Sequence, residues 1–260
     1  LSGNRAEGAG GAVHAADDLL IEDTVLSANR AAGPGGAVRA DGEAGLARVV
    51  LEGNLTTGQG GQGGAISAGG DLALEQVRLA NNATEGVSAP GGAVAAGGAL
   101  ELRDATVTGN ATAGDGSAGG GLFSVGPLTV RGARIEANET GGDGAPGGAI
   151  AAGGAVTLAD AGVYSNTTAG RNSYGGAVYA PASAAVSDSV IGGNTTAGQG
   201  ALGGGIAAVG LALTGASVRG NATEGTGASG GGVFATGAVF VVDSGIETNR
   251  TEGLNADGGG

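Results

Sequence analysis

The sequence predicts an all-β fold: a right-handed parallel β-helix of about nine coils, with three short strands per coil. Three observations predict it. One unit recurs every 25–28 residues along the whole chain, apolar residues alternate with period two inside each unit, and the connections are rich in glycine. A repeat of that length, in a chain with no helical periodicity, marks a solenoid whose units bury their apolar faces only against each other.

The repeat is clearest between Val163 and Val178. An aliphatic residue stands three places before Asn166, and Gly175-Gly176 precede Ala177-Val178. The Asn recurs at Asn4, Asn29, Asn54, Asn82, Asn110, Asn138, Asn166, Asn194, Asn221 and Asn249, in steps of 25, 25, 28, 28, 28, 28, 28, 27 and 28. The aliphatic residue after the double Gly keeps the same beat, from Val13 and Val38 to Ile206 and Val233. The two short steps arise in the link between Asn and double Gly, which marks that link as a loop.

Each strand has its own signal. Leu72-Ala73-Leu74, Leu100-Glu101-Leu102, Val156-Thr157-Leu158 and their copies alternate as a half-buried strand does. Val178-Tyr179-Ala180 and its copies predict a second strand; Ala161-Gly162-Val163 and its copies, leading to the Asn, predict a third. Each strand pairs with its own copy in the next coil, parallel and in register, about 4.8 Å away, which makes a rod about 45 Å long. Parallel crossovers are right-handed in about 98% of cases. The inward corner row is Leu51, Leu79, Val107, Ile135, Val163, Ile191, Val218 and Ile246, with a small residue two places before most of them.

Composition agrees with a thin aliphatic core. There are 62 Gly and 5 Pro, six aromatic residues, and no Cys, Met or Trp. Stability must come from backbone ladders and stacking, with no disulfides. A net charge of −13 with no Lys argues against charge-driven binding of nucleic acid or anionic lipid. No apolar run reaches the roughly 20 residues of a membrane helix, so no membrane insertion of this segment is expected.

Eight of the Asn stand in Asn-x-Thr, an N-glycosylation acceptor pattern. Glycans about 4.8 Å apart would collide, and Asn4 and Asn29 persist without the Thr. The row therefore reads as a structural Asn ladder, with amides bonded up and down the stack. The Thr two places on (Thr56, Thr84, Thr112 and their copies) reads as a single row at a turn.

These motifs carry a resemblance. Gly-Gly-Ala followed by Ile or Val (Gly10–Val13, Gly35–Val38, Gly63–Ile66, Gly91–Val94, Gly147–Ile150, Gly175–Val178), together with an x-x-Asn element, resembles the repeats of polymorphic outer-membrane proteins and autotransporter-type adhesins. Gly replaces Ala at Gly121, Gly205 and Gly232, and aliphatic residues replace that family's Phe throughout. The resemblance implies an extracellular, surface-displayed β-helix shaft.

Chemistry has thinner support. Right-handed β-helices also carry polysaccharide lyases and hydrolases, and the local candidates here are Glu101, Arg103, Asp104, Arg131 and Arg134 on adjacent coils. With no Lys and with the single His14 several coils away, they read as solvated ion pairs. Asp115 and Asp143 sit in Gly-Asp-Gly turns, without the nonapeptide repeat that calcium loops need. No cofactor or metal is expected. A contact strip is: outward of the aliphatic row, Phe123, Tyr179 and Phe234 alternate with Ala in the C-terminal half. This strip suits another chain or an extended ligand. For the protein as a whole, the expected partners are further copies of itself and a cell-surface or carbohydrate ligand. Neither end reads as a polar cap, so a longer rod or end-to-end self-association is expected. The expected function is a non-enzymatic extracellular fibre, stalk or adhesin shaft; the alternatives are a carbohydrate-active β-helix enzyme and a ligand-binding adhesin face.

Overall fold

A computed structural model describes residues 1–259. The chain is a parallel β-solenoid, with no helix among the described residues and every strand pair parallel. Three sheets of 16, 9 and 10 strands run the length of the stack. The first sheet takes two runs from most coils, such as Ile66–Ala68 and Leu72–Glu75, and one continuous run from two of them. The second takes the run leading to the Asn, such as Arg78–Ala80. The third is built from two or three residues after each Asn, such as Ala83–Thr84.

Register runs from coil to coil at every step. Val38, Ile66, Val94, Leu122, Ile150, Val178, Ile206 and Val233 form one column. Leu26, Leu51, Leu79, Val107, Ile135, Val163, Ile191, Val218 and Ile246 form another. Each mid-rod aliphatic in these columns is fully buried, which stabilises the fold by roughly 1.5–3 kcal/mol per side chain. The core holds only Ala, Val, Leu and Ile. All six aromatic residues are left for the surface.

Two of the coil's recurring corners stand on either side of the third sheet. One is a single left-handed residue immediately before each ladder Asn: Ala28, Asn81, Ala137 and Ser165, or Gly53, Gly109 and Gly193 in other coils. The other is the double Gly. Gly147 has φ +72°, and a Cβ on Gly148 would lie 2.3 Å from the Gly176 carbonyl oxygen of the next coil. The first Gly supplies the backbone angle and the second lets the coils touch.

The structure departs from the sequence reading at the Asn-x-Thr segment. The Thr does not sit at a turn. It lies in the third sheet with its side chain inward, and Thr56, Thr84, Thr112, Thr140, Thr168, Thr196 and Thr223 are all buried. In Thr84, Thr112 and Thr140 the hydroxyl donates to the carbonyl five residues on, at 2.6–2.7 Å. That bond pins the variable link to the strand.

Candidate functional site

The ten Asn stand in one line along the rod. Asn138 shows how each is held. Its Oδ1 accepts from the Asn110 backbone N–H and the Asn110 Nδ2, at 3.0 and 2.9 Å. Its Nδ2 donates to Asn166 Oδ1 at 2.9 Å and to the Val107 carbonyl at 3.1 Å. The same pattern links Asn4 to Asn29, Asn29 to Asn54, and onward to Asn221 and Asn249. From Asn29 to Asn221 the side chains are at most 1% exposed. In the folded chain they face the stack and are closed to a modifying enzyme.

The charged candidates are spread along exposed strand faces. Arg103 pairs with Glu101, and Arg134 pairs with Glu136 at 2.5 Å and lies 4.9 Å from the Tyr164 ring centre. Arg131 follows Arg103 in register on the next coil, so two cations stack instead of converging with an acid–base pair. His14 bonds Asp41 at 3.1 Å, and Asp41 also accepts from Arg39 at 2.7 Å. Those two partners, Arg39 first, hold the Asp41 carboxyl below its ordinary value.

Several carboxylates serve the backbone. Asp115 Oδ1 accepts from the Asp143 N–H, and Asp143 Oδ1 from the Arg171 N–H, at 2.9 and 2.8 Å. Asp18 and Asp71 do the same for Glu43 and Ala99. The latter two rim an open depression of about 610 Å³ on the first sheet, floored by Ala73 and Gly45. Among the described residues, no group of three or more acidic or His side chains is placed to hold a metal ion.

The outward column contains the three aromatic residues singled out from sequence. Ala95, Phe123, Ala151, Tyr179, Ala207 and Phe234 follow one another in register. The alanines are buried between their larger neighbours and the rings are half-buried. Phe123 stands apart from a second, more enclosed arrangement around Tyr179 and Phe234.

That arrangement is a groove of about 250 Å³. One wall is Tyr174 and Leu202, bridged to each other from neighbouring links. The other is Pro181, Val209 and Thr236, with Ala207 and Ala208 between the walls. In three other coils a Gly-Gly corner stands in place of Pro181 or Val209, at Gly69-Gly70, Gly97-Gly98 and Gly153-Gly154. Here the first-sheet strands run on unbroken, Val178–Ser187 and Ile206–Thr214. The Tyr174 and Tyr179 rings are 6.2 Å apart and tilted 39°. Burial, then Tyr174, raises the Tyr179 phenol above its ordinary pKa, so it stays a neutral donor. Comparison with protein-family models, curated proteins and solved structures finds no match for this chain.

Proposed function

We propose that the protein is a non-enzymatic shaft: an extracellular rod, fibre or adhesin stalk whose mechanical element is the stack of coils. The observation that supports this reading best is the unbroken ladder. Every coil from Asn4 to Asn249 is tied to the next by side-chain amides as well as strand pairing. The rod walls carry small residues and exposed ion pairs, each of the latter contributing about 0–1 kcal/mol. The resemblance of its repeats to outer-membrane adhesin repeats supports display at a cell surface.

The ladder also has a direction. Each amide donates to the Asn of the following coil, so donors face one end of the rod and acceptors the other. A further coil, from the same chain or a second copy, extends the pairing without a change of register. This supports axial self-association as the mode of assembly. Electron microscopy of the native material tests the reading: thin, straight rods or filaments at the cell surface are expected. Compact particles, or cleavage of uronate polymers that is lost on changing Arg103 and Arg131, would overturn it.

A further inference from the structure

The geometry points to a binding subsite for one neutral pyranose unit of a glycan, in the groove between Tyr179 and Phe234. It goes beyond the shaft reading and names what the rod carries on its side.

Aromatic residues are scarce in this chain and absent from its core, yet three of the six line this one groove. Tyr179 and Phe234 rise from coils two steps apart, with Ala207 on the coil between. The spacing between those two coils is about 9.6 Å. A single six-membered ring seated in the groove would have an aromatic side chain from either of these coils beside it. An axial row of C–H bonds lies well against an aromatic face, whose π cloud is electron-rich.

The polar groups fit the same ligand. Tyr174, Tyr179 and Thr236 line the groove, and among the described residues none of their hydroxyls makes a hydrogen bond within the chain. Each can both donate and accept, as sugar hydroxyls require. No charged residue lines the groove, in a chain of net charge −13. A uronate or sialylated unit would meet repulsion with no Arg to offset it, so the occupant is neutral.

Tyrosine fluorescence reads this directly, because the chain has no Trp and Tyr174 and Tyr179 are two of its three Tyr. The intact protein is titrated with the methyl pyranosides of glucose, galactose, mannose and N-acetylglucosamine, and with galacturonate. A saturable response to at least one neutral glycoside and none to galacturonate is expected. Tyr179→Ser and Phe234→Ser should each weaken binding about tenfold or more, while Phe123→Ser leaves it unchanged; circular dichroism checks that each variant keeps its strands. Any of three results overturns the proposal: no saturable response to any of the four neutral glycosides; a response that both Ser variants retain; or a concentration-dependent dimer, or binding of a proline-rich peptide, that those variants abolish in place of sugar binding. Filaments seen by microscopy bear on the shaft alone, so the two readings fail separately.

Discussion

An asparagine amide has two donor hydrogens and two acceptor lone pairs, and in mid-rod all four are used. Asn138 shows this: replacing it by Ala takes the side-chain acceptor from the buried Asn110 N–H and removes one bond each from Asn110 Nδ2, the Val107 carbonyl and Asn166 Oδ1. Asn138→Ala should cost about 3 kcal/mol, read as faster hydrogen exchange at the Asn110 amide. Asn138→Asp keeps the acceptors but faces two further oxygens in place of its donors. Its folded-state pKa should be raised, so the destabilisation grows as pH rises above the unfolded carboxyl value of about 3.9. The residue before the ladder tells the opposite story. Ala137 is exposed with φ +55°, where copies have Gly109 and Gly193. Ala137→Gly should stabilise the rod by about 0.5 kcal/mol, the relief of strain exceeding the added chain entropy. The Asn row was legible in the sequence as a period. The left-handed residue beside it was not, because Ala, Asn, Ser, Thr and Gly all occupy that place and share no chemical signature.

Strands and corners carry the next set of consequences. The three strand runs per coil in the first two sheets announce themselves by alternation, but the third sheet takes two residues at most places, too few to alternate. Only the stack reveals that Thr84 points inward. The groove was half legible for a related reason: Tyr179 and Phe234 lie on a regular column. Tyr174, Leu202, Pro181 and Val209 come from links and corners of variable sequence, and register alone brings them together. A pair of substitutions, one in the link and one at the double-Gly corner, separates backbone angle from contact. Gly144 has φ +63° with nothing within 4 Å of an added Cβ, so Gly144→Ala should cost about 1–2 kcal/mol. Gly148→Ala puts a methyl 2.3 Å from the Gly176 oxygen and should cost about 3 kcal/mol or more. Urea unfolding of the two variants, side by side, checks the order.

At the scale of the whole molecule, a solenoid has neighbours only above and below, so its stability is a sum over adjacent coils. Ends and middle then respond differently to acid. Near the N-terminal end Arg48 bonds Asp23 at 2.7 Å, and Arg39 and His14 bond Asp41. Those partners lower both carboxyl pKa values. A lowered folded-state pKa means the contribution is complete above the ordinary value of 3.8 and lost as pH falls through the lowered one. Hydrogen exchange across that range should loosen the first two coils before the middle, which is held by neutral amides and aliphatic columns. The same additivity makes distance along the rod the sharpest test of the stack. Leu20, Gly45, Ala73, Glu101, Thr129, Thr157 and Ala185 follow in register, and Leu20, Ala73 and Ala185 are exposed. With no native Cys, spin labels can be placed on these three alone. Coil spacing predicts about 19 Å between Ala73→Cys and Ala185→Cys, and about 29 Å between Leu20→Cys and Ala185→Cys, at the backbone. Electron–electron resonance giving separations that grow by one strand spacing per coil supports the stacked rod; separations that do not grow with coil number would contradict it.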